Sequence, residues 1–231
     1  MIRIPKNGTI KLANKYGNIS IPNAESSTDI ECKYGKVTLG KLSGTNNQVS
    51  IQYCQNSSID YIKAGNIDAR YSGLKINDSG NLNINANYTD VNLNDGQNIK
   101  ADCNYGTFKF QKINSLSGSG NYMTFIIGEV SSNFSYDTNY SKISIGTVTE
   151  KAGNISINSG YTDITIGYVQ NYAFDFDISA KYSNIKHDNS LEVSVSEVKS
   201  NSKRIAGFYK KKGQNKININ SNYGNISLTK N

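Results

Sequence analysis

The chain has 231 residues, a hydrophobic content of 36%, no tryptophan and a formal net charge of +7. A single globular core of this size draws on a richer apolar content, so the composition favours a fold with a narrow core and much surface. No stretch approaches the roughly 18 consecutive apolar residues that span a bilayer, and the excess charge sits in one segment, Lys199, Lys203, Arg204, Lys210, Lys211, Lys212 and Lys216 against Glu197 alone.

From the N-terminus, Met1-Ile2-Arg3-Ile4-Pro5 lacks the apolar core of a signal peptide. The first structural repeat begins almost at once with Ile10, Leu12 and Tyr16, so an upstream leader missing from this chain is expected. From there one unit recurs around Tyr16, Tyr34, Tyr53, Tyr71, Tyr88, Tyr105, Tyr122, Tyr140, Tyr161, Tyr182 and Tyr223. The spacings are 18, 19, 18, 17, 17, 17, 18, 21 and 21 residues, then 41. A fixed period near 18 with strand-type spelling marks a solenoid, whose coils bury their apolar faces only by stacking.

Each unit reads the same way. Apolar residues stand six and four places before Tyr, as in Leu82/Ile84, Ile155/Ile157 and Ile217/Ile219. A small residue stands two before it (Cys32, Ala69, Ala86, Cys103, Gly120, Thr138, Ser159, Ala180, Ser221), and apolar residues return three and five after it, as in Val37/Leu39, Val91/Leu93 and Ile164/Ile166. Alternation of period two predicts strands with the apolar set inward. Tyr shares the parity of the preceding apolar set, which predicts an inward tyrosine ladder at a corner turned by the following Gly, Ser or Thr. Gly40/Leu42, Gly128/Val130, Gly146/Val148 and Gly167/Val169 predict a short third face. After Tyr53 the apolar Ile59 arrives late, which predicts a bulge or displaced corner in the third coil. The predicted fold is all-β: one single-stranded, right-handed parallel β-helix of about 11–12 coils over residues 1–231. A basic loop or cap is inserted at about 191–216, before the last coil, because a terminal strand edge needs cover.

Cys32 and Cys103 occupy one repeat position four coils apart, too far for a disulfide, and read as small buried residues. Cys54 falls at a turn and is expected to be exposed.

The units Lys15-Tyr16-Gly17-Asn18-Ile19-Ser20-Ile21, Lys33-Tyr34-Gly35-Lys36-Val37-Thr38-Leu39 and Asn222-Tyr223-Gly224-Asn225-Ile226-Ser227-Leu228 resemble the Tyr-Gly-Asn-Ile repeats of adhesin-like β-strand-repeat proteins of the Bacteroidetes cell envelope. The ending Gly207-Phe208-Tyr209-Lys210-Lys211-Lys212-Gly213 is similar to the Gly-rich segment before the last coil in that group. The resemblance covers nearly the whole chain. It implies a secreted, periplasmic or surface-anchored β-solenoid without established catalytic residues.

Right-handed β-helices also host pectate lyases and polygalacturonases, so an enzyme has to be weighed. Such chemistry needs clustered carboxylates, with a cation and a base or in a facing pair. Asp175 and Asp177 share one strand face and precede His187 and Asp188; these four are the only place where an acid–base site can be argued, and a coil loosening toward a cap, with its Asp residues solvated, is the preferred explanation. The three arginines, Arg3, Arg70 and Arg204, are remote from them in sequence. No cofactor motif and no metal-ligand spacing is present. Lys203, Arg204, Lys210, Lys211, Lys212 and Lys216 are candidate contacts for a polyanion such as an acidic polysaccharide, or part of a cap. Inward tyrosines leave nothing to stack nucleic-acid bases. Asn87, Asn104, Asn121 and Asn139, one before Tyr, predict a polar ladder. The expected function is a non-enzymatic envelope module presenting polar ladders and a basic patch to an acidic polysaccharide or another envelope protein. The alternatives are a pectinase-like enzyme and a structural protein that binds through a solenoid end.

Overall fold

The structure, a computed structural model, describes residues 8–231; the expectations attached to residues 1–5, Arg3 included, lie outside them. It is all-β, with 73% of the described residues in strand and parallel coils of about 18 residues. The chain separates into two compact units, residues 1–109 and 110–231.

In the first unit the strands are β1 (Ile10–Asn14), β2 (Ile19–Ala24), β3 (Thr28–Lys33), β4 (Val37–Leu42), β5 (Asn47–Gln52), β6 (Ser57–Arg70), β7 (Gly73–Asn87) and the start of β8 (Asp90–Val130). Every pairing is parallel, and each residue meets its counterpart one coil on: β1 with β3, β2 with β4, β3 with β5, and β6 with β7. Identical positions therefore form columns, such as Ile67, Ile84 and Ala101, or Ile59, Ile76 and Leu93. All six are buried. β-Branched residues suit this stacked, pleated wall, and each fully buried Ile or Leu contributes about 1.5–3 kcal/mol of transfer free energy. The irregular third coil is as predicted: Asn56 adopts φ +57°, one residue is added, and Ser57 takes an inward place beside Leu74.

The corner differs from the prediction. The tyrosines point outward: Tyr88 is 51% exposed and Tyr105 42%, and every other tyrosine of the repeat is exposed too. From Tyr34 to Tyr223 each adopts φ between 50° and 58°. A left-handed residue reverses the alternation, so inward places run six, four and two before Tyr and then one, three and five after it. In the coil of Tyr88 these are Leu82, Ile84, Ala86, Thr89, Val91 and Leu93, all buried. The residue after Tyr is thus a core residue. Cys54 occupies this place and is fully buried, not exposed, as are Ser72, Thr89 and Thr162. The hydroxyls here stitch coils together: Ser72 N–H donates to Thr89 Oγ1 (3.2 Å), which donates to the Ala69 carbonyl (3.1 Å). At Gly106, which holds the same place, there is no room for a side chain, since a Cβ would sit 2.1 Å from the Thr89 carbonyl oxygen. Cys32 and Cys103 are buried as expected. Desolvation pushes the Cys32 thiol up to about 11 and the Cys103 thiol to about 12, which keeps both unreactive.

The second unit holds the rest of β8, then β9 (Phe134–Asn139), β10 (Lys142–Val148), β11 (Ile155–Gly160), β12 (Asp163–Tyr168), β13 (Phe174–Lys181), β14 (Ile185–His187), β15 (Glu192–Lys199), β16 (Ser202–Tyr209), β17 (Asn215–Asn222) and β18 (Ile226–Lys230). Leu42, Val130 and Val148 are buried at the third face as predicted; in the fourth case Tyr168 takes the buried place expected of Val169. The C-terminal coil is not the outermost layer. β17 pairs in parallel with β11 on one side and β13 on the other, and β18 lies likewise between β12 and β14. The basic insertion is the antiparallel hairpin β15–β16, with β16 antiparallel to β13. It covers the edge of β13, as a terminal strand requires. Beneath it Tyr168, Phe174 and Tyr209 pack with centroids 5.1–5.6 Å apart, and Tyr209 Oη donates to the Gln170 carbonyl (3.1 Å).

Candidate binding face: the tyrosine ridge and its amide columns

Parallel in-register coils bring equal positions to strand spacing, so the outward tyrosines stack. In the first unit Tyr16, Tyr34, Tyr53, Tyr71, Tyr88 and Tyr105 follow one another at centroid distances of 5.5, 5.0, 5.0, 5.0 and 4.6 Å, with interplanar angles no larger than 11°. In the second unit the order is Tyr122, Tyr140, Tyr161, Tyr223, Tyr182, at 5.0, 4.8, 4.7 and 4.8 Å. Tyr223 stands between Tyr161 and Tyr182 because its coil does. The ladder predicted from the repeat is therefore present, with its place moved from the core to the surface. Left-handed corners are held by the tyrosine's own N–H, as in Tyr71 to the Asn87 carbonyl and Tyr88 to the Asn104 carbonyl, both 3.0 Å. Ring faces are covered by neighbouring rings, and ring edges and hydroxyls meet solvent. The Tyr88 phenol is pushed up, first by desolvation and then by Tyr105 and Tyr71.

Beside the ridge lies a flat polar face made by the outward positions one, three and five before Tyr. In the first unit these columns include Arg70, Asn87 and Asn104; Asp68, Asn85 and Asp102; and Asn66, Asn83 and Lys100. Amides bond along the columns: Asn83 Nδ2 donates to Asn66 Oδ1 (2.8 Å) and Asn104 Nδ2 to Asn87 Oδ1 (3.4 Å). In the second unit Asn139 Nδ2 donates to Asn121 Oδ1 (3.1 Å) and Asn158 Nδ2 to Asp137 Oδ1 (2.8 Å). These bonds orient the amides, so the predicted polar ladder is a fixed array of donors and acceptors. On the strands after the corner, Ser20, Thr38, Ser58, Asp60, Lys75 and Asn77 line a shallow groove of about 660 Å³ in the first unit. Gly40 also lines it, and a Cβ there would fall 1.6 Å from the Pro22 carbonyl oxygen.

The acid–base candidates are in structural use. Asp175 and Asp177 do share the outward face of β13. The Asp175 carboxylate accepts the Gly213 N–H (3.0 Å), and Asp177 receives both Arg204 Nε (3.0 Å) and Nη2 (2.9 Å). Arg204, remote in sequence, is thus the immediate neighbour of Asp177 in space, a juxtaposition only the antiparallel β16 creates. Its hydrogen bond holds the Asp177 carboxyl below the usual range. Asp188 accepts the Ser190 N–H (2.9 Å) and its hydroxyl, and faces Lys230 Nζ at 3.9 Å. His187 ends β14 opposite Leu228, half-buried, with Nδ1 3.0 Å from the Asp188 carbonyl. Hydrogen bonds with backbone, serine and arginine occupy the three carboxylates.

The basic candidates lie on three elements. Lys203 and Arg204 are on β16, Lys210, Lys211 and Lys212 in the turn after it, and Lys216 on β17. Arg204 is neutralised by Asp177 and by Glu197 (3.4 Å). Lys210 Nζ donates to Asn171 Oδ1 (3.1 Å), and Lys212 lies over the Phe208 ring at 4.7 Å. The patch is therefore an exposed lysine turn, not a continuous cationic surface.

Among the described residues no group of three His, Cys, Asp or Glu can hold a metal ion, and no helix is long and apolar enough to cross a membrane. At the first coil Ile10, Leu12, Ile19 and Ile21 border a cavity of about 850 Å³; residues 1–7, which precede it, lie outside the described residues. Compared with protein families, characterised proteins and solved structures, the chain matches none.

Proposed function

We propose that this chain is a non-enzymatic, adhesin-like binding module of the cell envelope and that its ligand is polysaccharide. The observation that carries the reading is the solvent-exposed tyrosine ridge running beside a flat array of oriented amides. Sugar hydroxyls are recognised by paired donors and acceptors such as Asn side chains, and by aromatic groups with a polar tip. A face that is rigid before binding loses little entropy on binding. The lysine turn at 210–212 supplies a second contact for acidic chains. The carboxylates that a lyase or hydrolase would use are held by Arg204, Gly213 and Ser190, which favours binding over turnover.

The test is a panel of neutral and acidic polysaccharides, scored for binding and for release of reducing or unsaturated ends. Wild type is compared with Asn66→Ala/Asn83→Ala/Asn85→Ala and with Lys210→Ala/Lys211→Ala/Lys212→Ala. Binding without product is expected. The amide variant should bind roughly thirtyfold to 150-fold more weakly, as the loss of two or three hydrogen bonds of about 1 kcal/mol each requires. The lysine variant should lose only acidic chains, and wild type should lose the same chains at high salt. Release of product, or no binding to any glycan, overturns the reading; the former directs attention to Asp175, Asp177 and Arg204.

A further inference from the structure

We propose that the tyrosine ridge is a site of intramolecular oxidative coupling, at which a one-electron oxidant joins tyrosines of successive coils through carbon–carbon bonds. Phenol coupling needs phenols that the oxidant can reach, a second ring within contact and a medium to take the protons. The ridge supplies all three. Tyr71, Tyr88, Tyr161, Tyr182 and Tyr223 are 42–55% exposed. Neighbouring rings are nearly parallel at 4.6–5.5 Å, so the ring carbons ortho to one hydroxyl lie one ring spacing from those of the next. Backbone hydrogen bonds fix the corners that carry them, so partners are set by the stack and not by chance encounter.

The step balances simply. Each of two neighbouring phenols gives one electron to the oxidant and one proton to water, leaving two phenoxyl radicals. The radicals join at their ortho carbons, and the two ring hydrogens then pass through water to the oxygens, restoring both phenols. Two tyrosines lose two electrons and two protons in total. The oxidant belongs to the class of peroxidase-type ferryl species or photogenerated metal complexes. The product staples one coil to the next. In the second unit the bonds Tyr161–Tyr223 and Tyr223–Tyr182 would fix the intercalated C-terminal coil on both sides. This modification is independent of what the amide face binds.

The experiment treats the full chain, at high dilution, with a photoactivated ruthenium complex and persulfate, followed by dityrosine fluorescence, intact mass and mapping of linked peptides. The expected product is monomeric, lighter by two hydrogen atoms per bond, with links only between stacked neighbours: Tyr71–Tyr88, Tyr161–Tyr223 and Tyr182–Tyr223 among them. The buried Tyr136, Tyr168 and Tyr172 should stay unlinked. Tyr223→Phe keeps the stack but removes the phenol; it should abolish both bonds to position 223 and leave Tyr71–Tyr88. The same chain in denaturant should lose the neighbour pattern. Dityrosine confined to linked dimers, links between tyrosines that are not neighbours, or no coupling while N-acetyltyrosinamide couples in the same solution would each overturn the proposal.

Discussion

A tyrosine held at positive φ bears a steric cost of about 1–2 kcal/mol, and ten of them recur here at one position. Stacking on two neighbours returns about 0.5–1.5 kcal/mol per ring pair, which roughly offsets that cost and explains why an aromatic is tolerated where glycine would be easier. The balance makes a sharp prediction. Tyr88→Ala loses both stacking contacts and keeps the strain, so urea unfolding should show a loss of about 1–3 kcal/mol. Tyr88→Gly loses the same contacts and relieves the strain, so it should be about 1 kcal/mol more stable than the alanine variant. An alanine variant at least as stable as the glycine variant would refute the left-handed corner. The next residue behaves oppositely. Thr89→Val fills the same space but leaves the buried Ser72 N–H without its acceptor, at a cost of about 1–3 kcal/mol by thermal or urea melting. The sequence did announce the corner: apolar places fall at even offsets before Tyr and odd offsets after it, as Ile84 and Val91 show about Tyr88. One residue had to step out of phase, and assigning Tyr to the inward set put that step one residue too late. The clue was in parity, while the small residue two before Tyr, which fits beneath the corner backbone, imitated a pocket for a ring.

Strand pairing decides what the charged groups do. Alternation along β13 is enough to put Asp175 and Asp177 on one face. It gives no hint of Arg204, because an antiparallel return by β16 has no repeat spelling: Ser202–Tyr209 departs from the Tyr-centred unit. For the same reason the lysines could be read as one patch when their register spreads them over β16, a turn and β17. The Asp177–Arg204 pair has a pH signature. The folded carboxyl titrates below its ordinary value, so the pair's contribution is present above about pH 4 and is lost as pH falls through the folded value. Both partners are partly solvated, with side chains 29% and 42% exposed, and screening keeps the contribution small. Asp177→Asn should therefore melt lower than wild type at pH 7, and the two melting curves should draw together as pH falls below about 4 toward the folded value. A gap that stays constant across that range would mean the effect is not the ion pair.

In the second unit, sequence order and layer order part company. Repeat units that look alike can stack in any order that satisfies their columns, and the 41-residue interval before Tyr223 is compatible with a last layer or an inner one. What selects the inner one is pairing on two sides: Ile217 meets both Ile155 and Phe176, and Ile226 meets both Ile164 and Ile185. Columns built this way have a consequence that an outermost coil would not. Deleting an end layer of a solenoid removes one interface and leaves the rest nearly as stable as before, since coils interact with nearest neighbours. Deleting residues 215–231 here removes two interfaces at once, leaving β13 with no parallel partner and β11 paired on one side only, with β9. It also exposes the buried row of Ile155, Ile157, Phe176 and Ile178. Hydrogen exchange followed by mass spectrometry should then show β11 (Ile155–Gly160) and β13 (Phe174–Lys181) losing protection together, with the β15–β16 hairpin, which docks on β13, following. β3 to β5 of the first unit should exchange as in the full chain, because none of their pairings involves the deleted strands. Protection retained in β11 and β13, or lost only at β13, would mean that the C-terminal coil lies outside the stack, and the order Tyr161, Tyr223, Tyr182 along the ridge would fall with it.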